Sequence, residues 1–292
     1  MKKIGKRVVA VLLAVFTVVA VSACGKKAAF DPSKRISVVT REDGSGTKSA
    51  FMELLGLKGK SDVSGAVVMT GTAAVLAEVR SNPLALAFES LGYVTDDVKM
   101  LKVNGVEATV ENIRNGSYKI ARPLGIVYTQ SSSENALNAA YLKFLQSSAA
   151  QTIIRDNGYV ALADHAPDYT TDASLSGSLT LSGSTSLQPL MIELAKKFQN
   201  LQPNVQVNIS GGGSGTGYKD AANGVSDFGM ISETFQESKA PGCLYYEVAK
   251  DGIAMIVNKS NPQDDITLEA LKNIYNADAG EDAITVWKDA QN

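Results

Sequence analysis

Gly44-Ser45-Gly46-Thr47 and Gly213-Ser214-Gly215-Thr216 are the same tetrapeptide at two places in the chain. The first follows the strand-like run Ile36–Thr40 and the second follows Val205–Ser210, and each leads into a helix-like segment. Glycines let a backbone approach a ligand closely, Ser and Thr hydroxyls donate hydrogen bonds, and the unpaired N–H groups of a helix start face negative charge. Two such turns predict an anion gripped by two jaws.

Working outward, apolar strands and helical patterns alternate, which predicts α/β architecture. Helices are predicted at Lys48–Leu55, Thr72–Arg80, a long Glu134–Arg155, Leu187–Phe198, from Gly217 to Asn223, and Leu268–Tyr275 behind Thr267 as N-cap. Strands are predicted at Leu84–Phe88, Ile120–Tyr128, Leu179–Ser182 and Ile253–Asn258. A hairpin is predicted from Met100 to Thr109 around Asn104-Gly105. Ala161–Ser178, rich in Asp, Ser, Thr and Ala, reads as a polar linker.

Lys2, Lys3, Lys6 and Arg7 precede an apolar run from Val8 to Ala20, and Val21-Ser22-Ala23-Cys24 follows. This is the pattern of a secretory signal ending in a lipobox; the run is shorter than the roughly 20 apolar residues of a membrane span. Residues 1–23 are therefore expected to be removed, leaving Cys24 lipidated, 24–34 as a tether, and the protein anchored on the extracytoplasmic face. Cleavage elsewhere would give a simply secreted protein. Cys243 is then the one cysteine of the folded part, so no internal disulfide is expected. A net charge of −2 without a basic patch argues against nucleic-acid binding.

Competing motifs fail. Gly59-Lys60-Ser61 lacks the earlier glycine of a phosphate-binding P-loop, and Gly211-Xaa-Gly213 breaks the dinucleotide fingerprint at Thr216. The sole histidine, His165, lies in the predicted linker, no nucleophile elbow surrounds a serine, and no cysteine–histidine cluster has metal spacing. No cofactor or metal is expected. Arg41 stands out, because a guanidinium binds a tetrahedral oxyanion through two parallel N–H bonds, and Asp43 could brace it from behind. Any one of these turns could be a plain strand-to-helix connection; their joint occurrence is what points to a site.

These pieces resemble the phosphate-binding proteins of the bacterial phosphate ABC importer, the PstS family. Gly183–Ser186, Gly213–Gly215, Asp227–Gly229, Asp251–Ala254, Trp287 and Arg41–Thr47 match that family's Gly-Ser-Thr-Ser loop, Gly-Ser-Gly turn, Asp-Phe-Gly segment, Asp-Gly-Ile-Ala strand, tryptophan and Arg-Xaa-Asp-Gly-Ser-Gly-Thr turn. Their order is exchanged, with the family's second part first, which reads as a circular permutation joined through Ala161–Ser178. The ends near Ser33–Ile36 and Asn292 should then be neighbours.

The resemblance implies a two-lobed periplasmic-binding-protein-like (type II) fold with a ligand cleft. One lobe would be 35–119 plus 260–292 and the other 120–259. It further implies a monomeric, non-enzymatic lipoprotein that passes inorganic phosphate to an ABC permease. The ion would be held by Arg41, Ser45, Gly46, Thr47, Thr185, Ser186 and Ser214, with Thr72 and Gly215 as further lining. Glu233 departs from the Ser-Arg of many relatives; as a carboxylate facing the ligand it would accept the proton of hydrogen phosphate and repel sulfate, or else it is a loop acid. Sulfate or molybdate binding, phosphate sensing, and a phosphatase are the alternatives.

Overall fold

The computed structural model describes residues 30–290; the expected signal, the lipobox and Cys24 lie outside them. In chain order the elements are β1 (Ser37–Arg41), α1 (Gly46–Leu54), β2 (Val67–Met69), α2 (Thr72–Ser81), β3 (Ala85–Ser90), β4 (Lys99–Val103), α3 (Val110–Arg114) and β5 (Ala121–Tyr128). Then follow α4 (Gln130–Glu134), α5 (Ala136–Leu145), α6 (Ser148–Asp156), β6 (Gly177–Gly183), α7 (Gln188–Leu201), β7 (Val205–Gly211) and α8 (Ser214–Ala222). The series closes with β8 (Phe228–Ile231), β9 (Leu244–Val257), β10 (Asp265–Ile266) and α9 (Leu268–Tyr275).

The strand order β2-β1-β3-β9-β5-β8-β6-β7 is one continuous path, and β9 is its pivot. From Leu244 to Gly252 β9 runs antiparallel to β5; from Ile253 to Val257 it runs antiparallel to β3. Its apolar residues accordingly enter two different cores. Ile253–Val257 pack with Phe51, Phe88, Tyr275 and Trp287, while Val248 and Ala249 pack with Tyr141, Phe144, Phe198 and Phe228. The chain thus crosses between lobes at Gly252-Ile253 and at Ile120-Ala121, where the Ile253 amide donates to the Ile120 carbonyl at 2.8 Å. The Gly252-Ile253 crossing falls several residues before the expected boundary at residue 259, because the long apolar strand is shared rather than owned by one lobe.

The single long helix expected over Glu134–Arg155 is two helices, α5 and α6, with α4 ending at Glu134. Asn135 Oδ1 accepts from the Leu137 and Asn138 amides and Ser147 Oγ accepts from the Ala150 amide, so two polar residues inside the apolar periodicity act as N-caps and restart the helix. The Asn104-Gly105 turn forms with both φ angles positive, but the returning arm makes one bridge, Val103 to Val106, before α3 begins. Residues 161–176 carry no helix or strand, and His165 in them is exposed. Thr267 caps α9 as expected.

The two ends of the described chain lie side by side. Ile36 N–H donates to the Thr285 carbonyl at 2.8 Å, Lys288 N–H to the Pro32 carbonyl at 2.8 Å, and buried Trp287 meets Phe30 edge-on at 5.7 Å.

Candidate anion site

Three helix N-termini converge where the lobes meet. On the first lobe β1 ends in Arg41, the chain turns at Gly44 (φ +86°), and Ser45 caps α1 by accepting from the Lys48 amide. Gly71 starts α2 beside it. On the second lobe Gly213, with φ +83°, starts α8 without a side-chain cap, and Ser184–Ser186 follow β6. Both positive-φ positions suit only glycine, which is why the turns read as they do in sequence.

Side chains from the two lobes touch directly. Thr47 Oγ1 and Ser186 Oγ are 2.7 Å apart, Thr72 Oγ1 is 3.2 Å from Thr185 Oγ1, and Arg41 Nη2 donates to Thr185 Oγ1 at 3.1 Å. The Gly215 amide donates to the Gly44 carbonyl at 3.0 Å, so the repeated turns meet backbone to backbone. Gly46 sits so close to Ser214 that a Cβ there would fall 2.1 Å from Ser214 Oγ. Arg41, Thr47, Thr72, Ser186 and Ser214 are all buried. Flanking clefts open on either side: one of about 260 Å³ reaches Ser45, Lys48, Glu233 and Lys239, another of about 440 Å³ reaches Gly71, Tyr93, Thr185 and Gln188.

Arg41 is held by Glu42, not Asp43. Its Nε and Nη2 donate to the two Glu42 oxygens at 2.9 Å each, a bidentate match of planar groups. Partial burial works to raise the Glu42 carboxyl, but the Arg41 hydrogen bonds and charge hold it below its ordinary range. Asp43 points to solvent and pairs with Lys48, because the turn at Gly44 carries it to the outer side. Arg41 Nη1 is buried and has no protein partner.

Glu233 is buried at the edge of the cleft, but Oε1 takes Lys239 Nζ at 2.7 Å and Oε2 takes Gln236 Nε2 at 3.2 Å. For it to reach a ligand, that pairing must break.

Four residues near the site were given no role in the sequence reading, although Asp251 stands in a matched motif. Arg122 and Asp251 form a fully buried ion pair at 3.0 Å on the crossing strands. Ser90 Oγ donates to the same Asp251 oxygen, and Arg122 Nη1 donates to the Ser232 carbonyl at 3.0 Å. The Ser232 amide in turn donates to Ser214 Oγ at 3.0 Å, so the pair supports the loop that carries the hydroxyls. Burial pushes the Asp251 carboxyl up against the pull of Arg122 and Ser90. Glu89, on β3, is buried; Oε1 accepts from the Ser90 amide, and Oε2 is unpartnered. The usable signal was an ionisable residue inside or beside an apolar run, as with Glu89 after Leu84–Phe88 and Asp251 before Ile253–Val257.

The arrangement offers hydroxyl and amide donors around one guanidinium, which suits capture of a small oxoanion. Among the described residues no group of three His, Cys, Asp or Glu is placed to hold a metal, and no helix is long and apolar enough to cross a membrane.

Comparison with known proteins agrees. The PBP superfamily domain matches residues 26–149 and 168–292. The phosphate-binding protein PstS 2 of Streptococcus agalactiae is 33% identical over 275 residues, 91% of each chain. A crystal structure of a phosphate-binding protein of a phosphate ABC transporter from Streptococcus pneumoniae superposes with a TM-score of 0.69 at 30% identity, covering 88% of this chain and 100% of that one. PstS of Bacillus subtilis is 38% identical over 104 residues, 34% of each chain. The chain therefore belongs to the periplasmic-binding-protein superfamily and, within it, to the PstS-like phosphate-binding proteins.

Proposed function

We propose that this chain captures inorganic phosphate outside the cytoplasm and delivers it to an ABC permease, without catalysing a reaction. The observation that carries this reading is the convergence of Arg41 with Thr47, Thr72, Thr185, Ser186 and Ser214 at the junction of three helix starts. The names of the Streptococcus relatives, which denote phosphate-binding proteins, supply the ligand. On binding, the hydroxyl–hydroxyl contacts across the cleft would be exchanged for charge-assisted bonds to phosphate oxygens, which are about twice as strong as neutral ones. Ser45, Gly46 and Gly215 would contribute backbone and capping groups, and the open clefts on either side the route of entry.

Calorimetry tests the reading directly. Phosphate should bind, Arg41→Ala should abolish the heat, and an excess of sulfate or molybdate should not compete. No heat with phosphate refutes the function, and displacement by sulfate moves the ligand to another oxoanion. Glu233→Gln in the same competition decides whether that acid has a part in selectivity.

We also propose that the mature protein is a monomer tethered through a lipid on Cys24. An N-terminal peptide without a diacylglyceryl mass increment would overturn the tether. The exchanged order of motifs fits a circular permutation. The adjacent chain ends and the B. subtilis match over only about a third of each chain support it, and the S. agalactiae alignment, running through 91% of both chains, fits a relative that shares this chain's order.

A further inference from the structure

Arg41 ends β1, and Glu89 lies near the end of β3, its neighbour in the sheet. β1 and β3 pair in parallel with Ser37 opposite Ala85 and Val38 opposite Leu86, and the same offset carried forward sets Arg41 opposite Glu89. Each side chain has one buried polar atom without a partner, Nη1 of Arg41 and Oε2 of Glu89. We infer that Glu89 is the counter-charge that sets how strongly Arg41 holds an oxoanion: docking of the anion against Arg41 draws one proton from solvent onto Glu89 Oε2.

One guanidinium, that of Arg41, lies between two acids, Glu42 and Glu89. Glu42 occupies the outer edge of Arg41 through Nε and Nη2. Glu89 is fully buried on the inner side, where burial pushes its carboxyl up to about 7 against the pull of Arg41 and Arg122, with Asp251 pushing the same way as burial. The charged and titratable groups around it are Arg41 on β1, Arg122 on β5, Asp251 on β9 and the Tyr159 hydroxyl after α6. The helices over β3 bring no free charge: Lys48 of α1 pairs with Asp43 and Asp62, Glu53 with Lys58, and Arg80 of α2 with Asp97, while Glu78 accepts from Asn82. Both Arg41 and Arg122 pull on Glu89, but Arg122 is committed to Asp251, so Arg41 is the cation whose pull a ligand at the site can change. An arriving anion engages that cation and adds its own negative charge nearby, and both changes favour the neutral carboxyl. A hydronium ion or protonated buffer molecule gives up its proton, breaking one bond to hydrogen there, and an O–H bond forms at Oε2. Once neutral, Glu89 no longer competes with the ligand for the charge of Arg41, and Glu42 remains its one acidic partner.

The inference rests on the anion site proposed above and deepens it. Phosphate binding to the wild type and to Glu89→Gln should be measured by calorimetry in buffers of different ionisation enthalpy from pH 6 to 8.5. Ionisation of phosphate itself is common to both proteins and cancels in the comparison. The wild type should take up more protons than the variant, approaching one. The ratio of wild-type to variant Kd should climb above pH 7, by as much as about tenfold per unit. Binding by both with equal proton uptake and a flat ratio overturns the role of Glu89 alone. Absence of phosphate binding in both overturns the site and this inference together. Should Glu89→Gln fail to fold, infrared difference spectra of the wild type decide: a protonated-carboxyl band must grow when phosphate is added near pH 7.5, and no growth overturns the inference.

Discussion

Gly46→Ala separates closure of the cleft from the stability of the lobes. Gly46 is the first residue of α1 and has no positive φ, so its own helix accepts alanine without strain. Across the cleft the new Cβ would lie 2.1 Å from Ser214 Oγ, 2.7 Å from Ser232 Oγ and 2.9 Å from Ser214 Cβ. Ser214 cannot swing aside freely, because its Oγ accepts from the Ser232 amide at 3.0 Å and it is wholly buried. Relief must come from the lobes parting, and forcing an extra methyl into packed surroundings costs about 1–3 kcal/mol. That penalty falls on the closed form alone, which converts to roughly 5- to 150-fold weaker phosphate binding. Calorimetry should show the loss, with the midpoint of ligand-free urea unfolding within error of the wild type. An unchanged Kd would refute the view that these turns must touch for the ligand to be held.

Arg122→Ala strands the Asp251 carboxylate in a site with no solvent exposure and should cost about 3–5 kcal/mol in urea unfolding; a loss under about 1 kcal/mol would show that the pair does not bind the crossing strands together. Glu89 is raised from its ordinary 4.5 to about 7 in the folded protein, so the folded state holds an extra proton between those values and stability drains away as pH rises through that window. The stability of Glu89→Gln relative to wild type should therefore grow by about 3 kcal/mol from pH 4.5 to pH 7.5, and a pH-independent difference would refute it. A chain reopened within residues 161–176, with residue 290 joined to residue 34 by a short polar link, should fold and bind phosphate, since those ends are already hydrogen-bonded neighbours; an insoluble product would count against the permutation.

What the sequence disclosed and what it hid divide along range. Gly44, Gly213 and Thr267 act through their own backbone or the next turn of helix, and their roles were readable from local spelling. Asn135 and Ser147 were equally local, yet the apolar spacing of Leu137, Tyr141, Phe144, Leu145 and Ile153 masked them, since a cap residue one position out of phase does not disturb helical periodicity. Asp43 looked like the brace of Arg41, but the turn carries it outward, whereas Glu42, next to Arg41, has the reach for a two-point contact. The partners of the buried charges are of another kind. Arg122 finds Asp251 across 129 residues and Ser232 across 110, and Arg41 meets the Glu89 strand only because β1 and β3 are neighbours in the sheet. No periodicity encodes such pairings. Burying an ion is costly, however, so an acid or arginine set within an apolar strand must find a partner, and here Glu89, Arg122 and Asp251 all lie on strands that make or adjoin the crossing between lobes. A charge placed there is within reach of both lobes at once, so the residues hardest to read sit where the two lobes are joined.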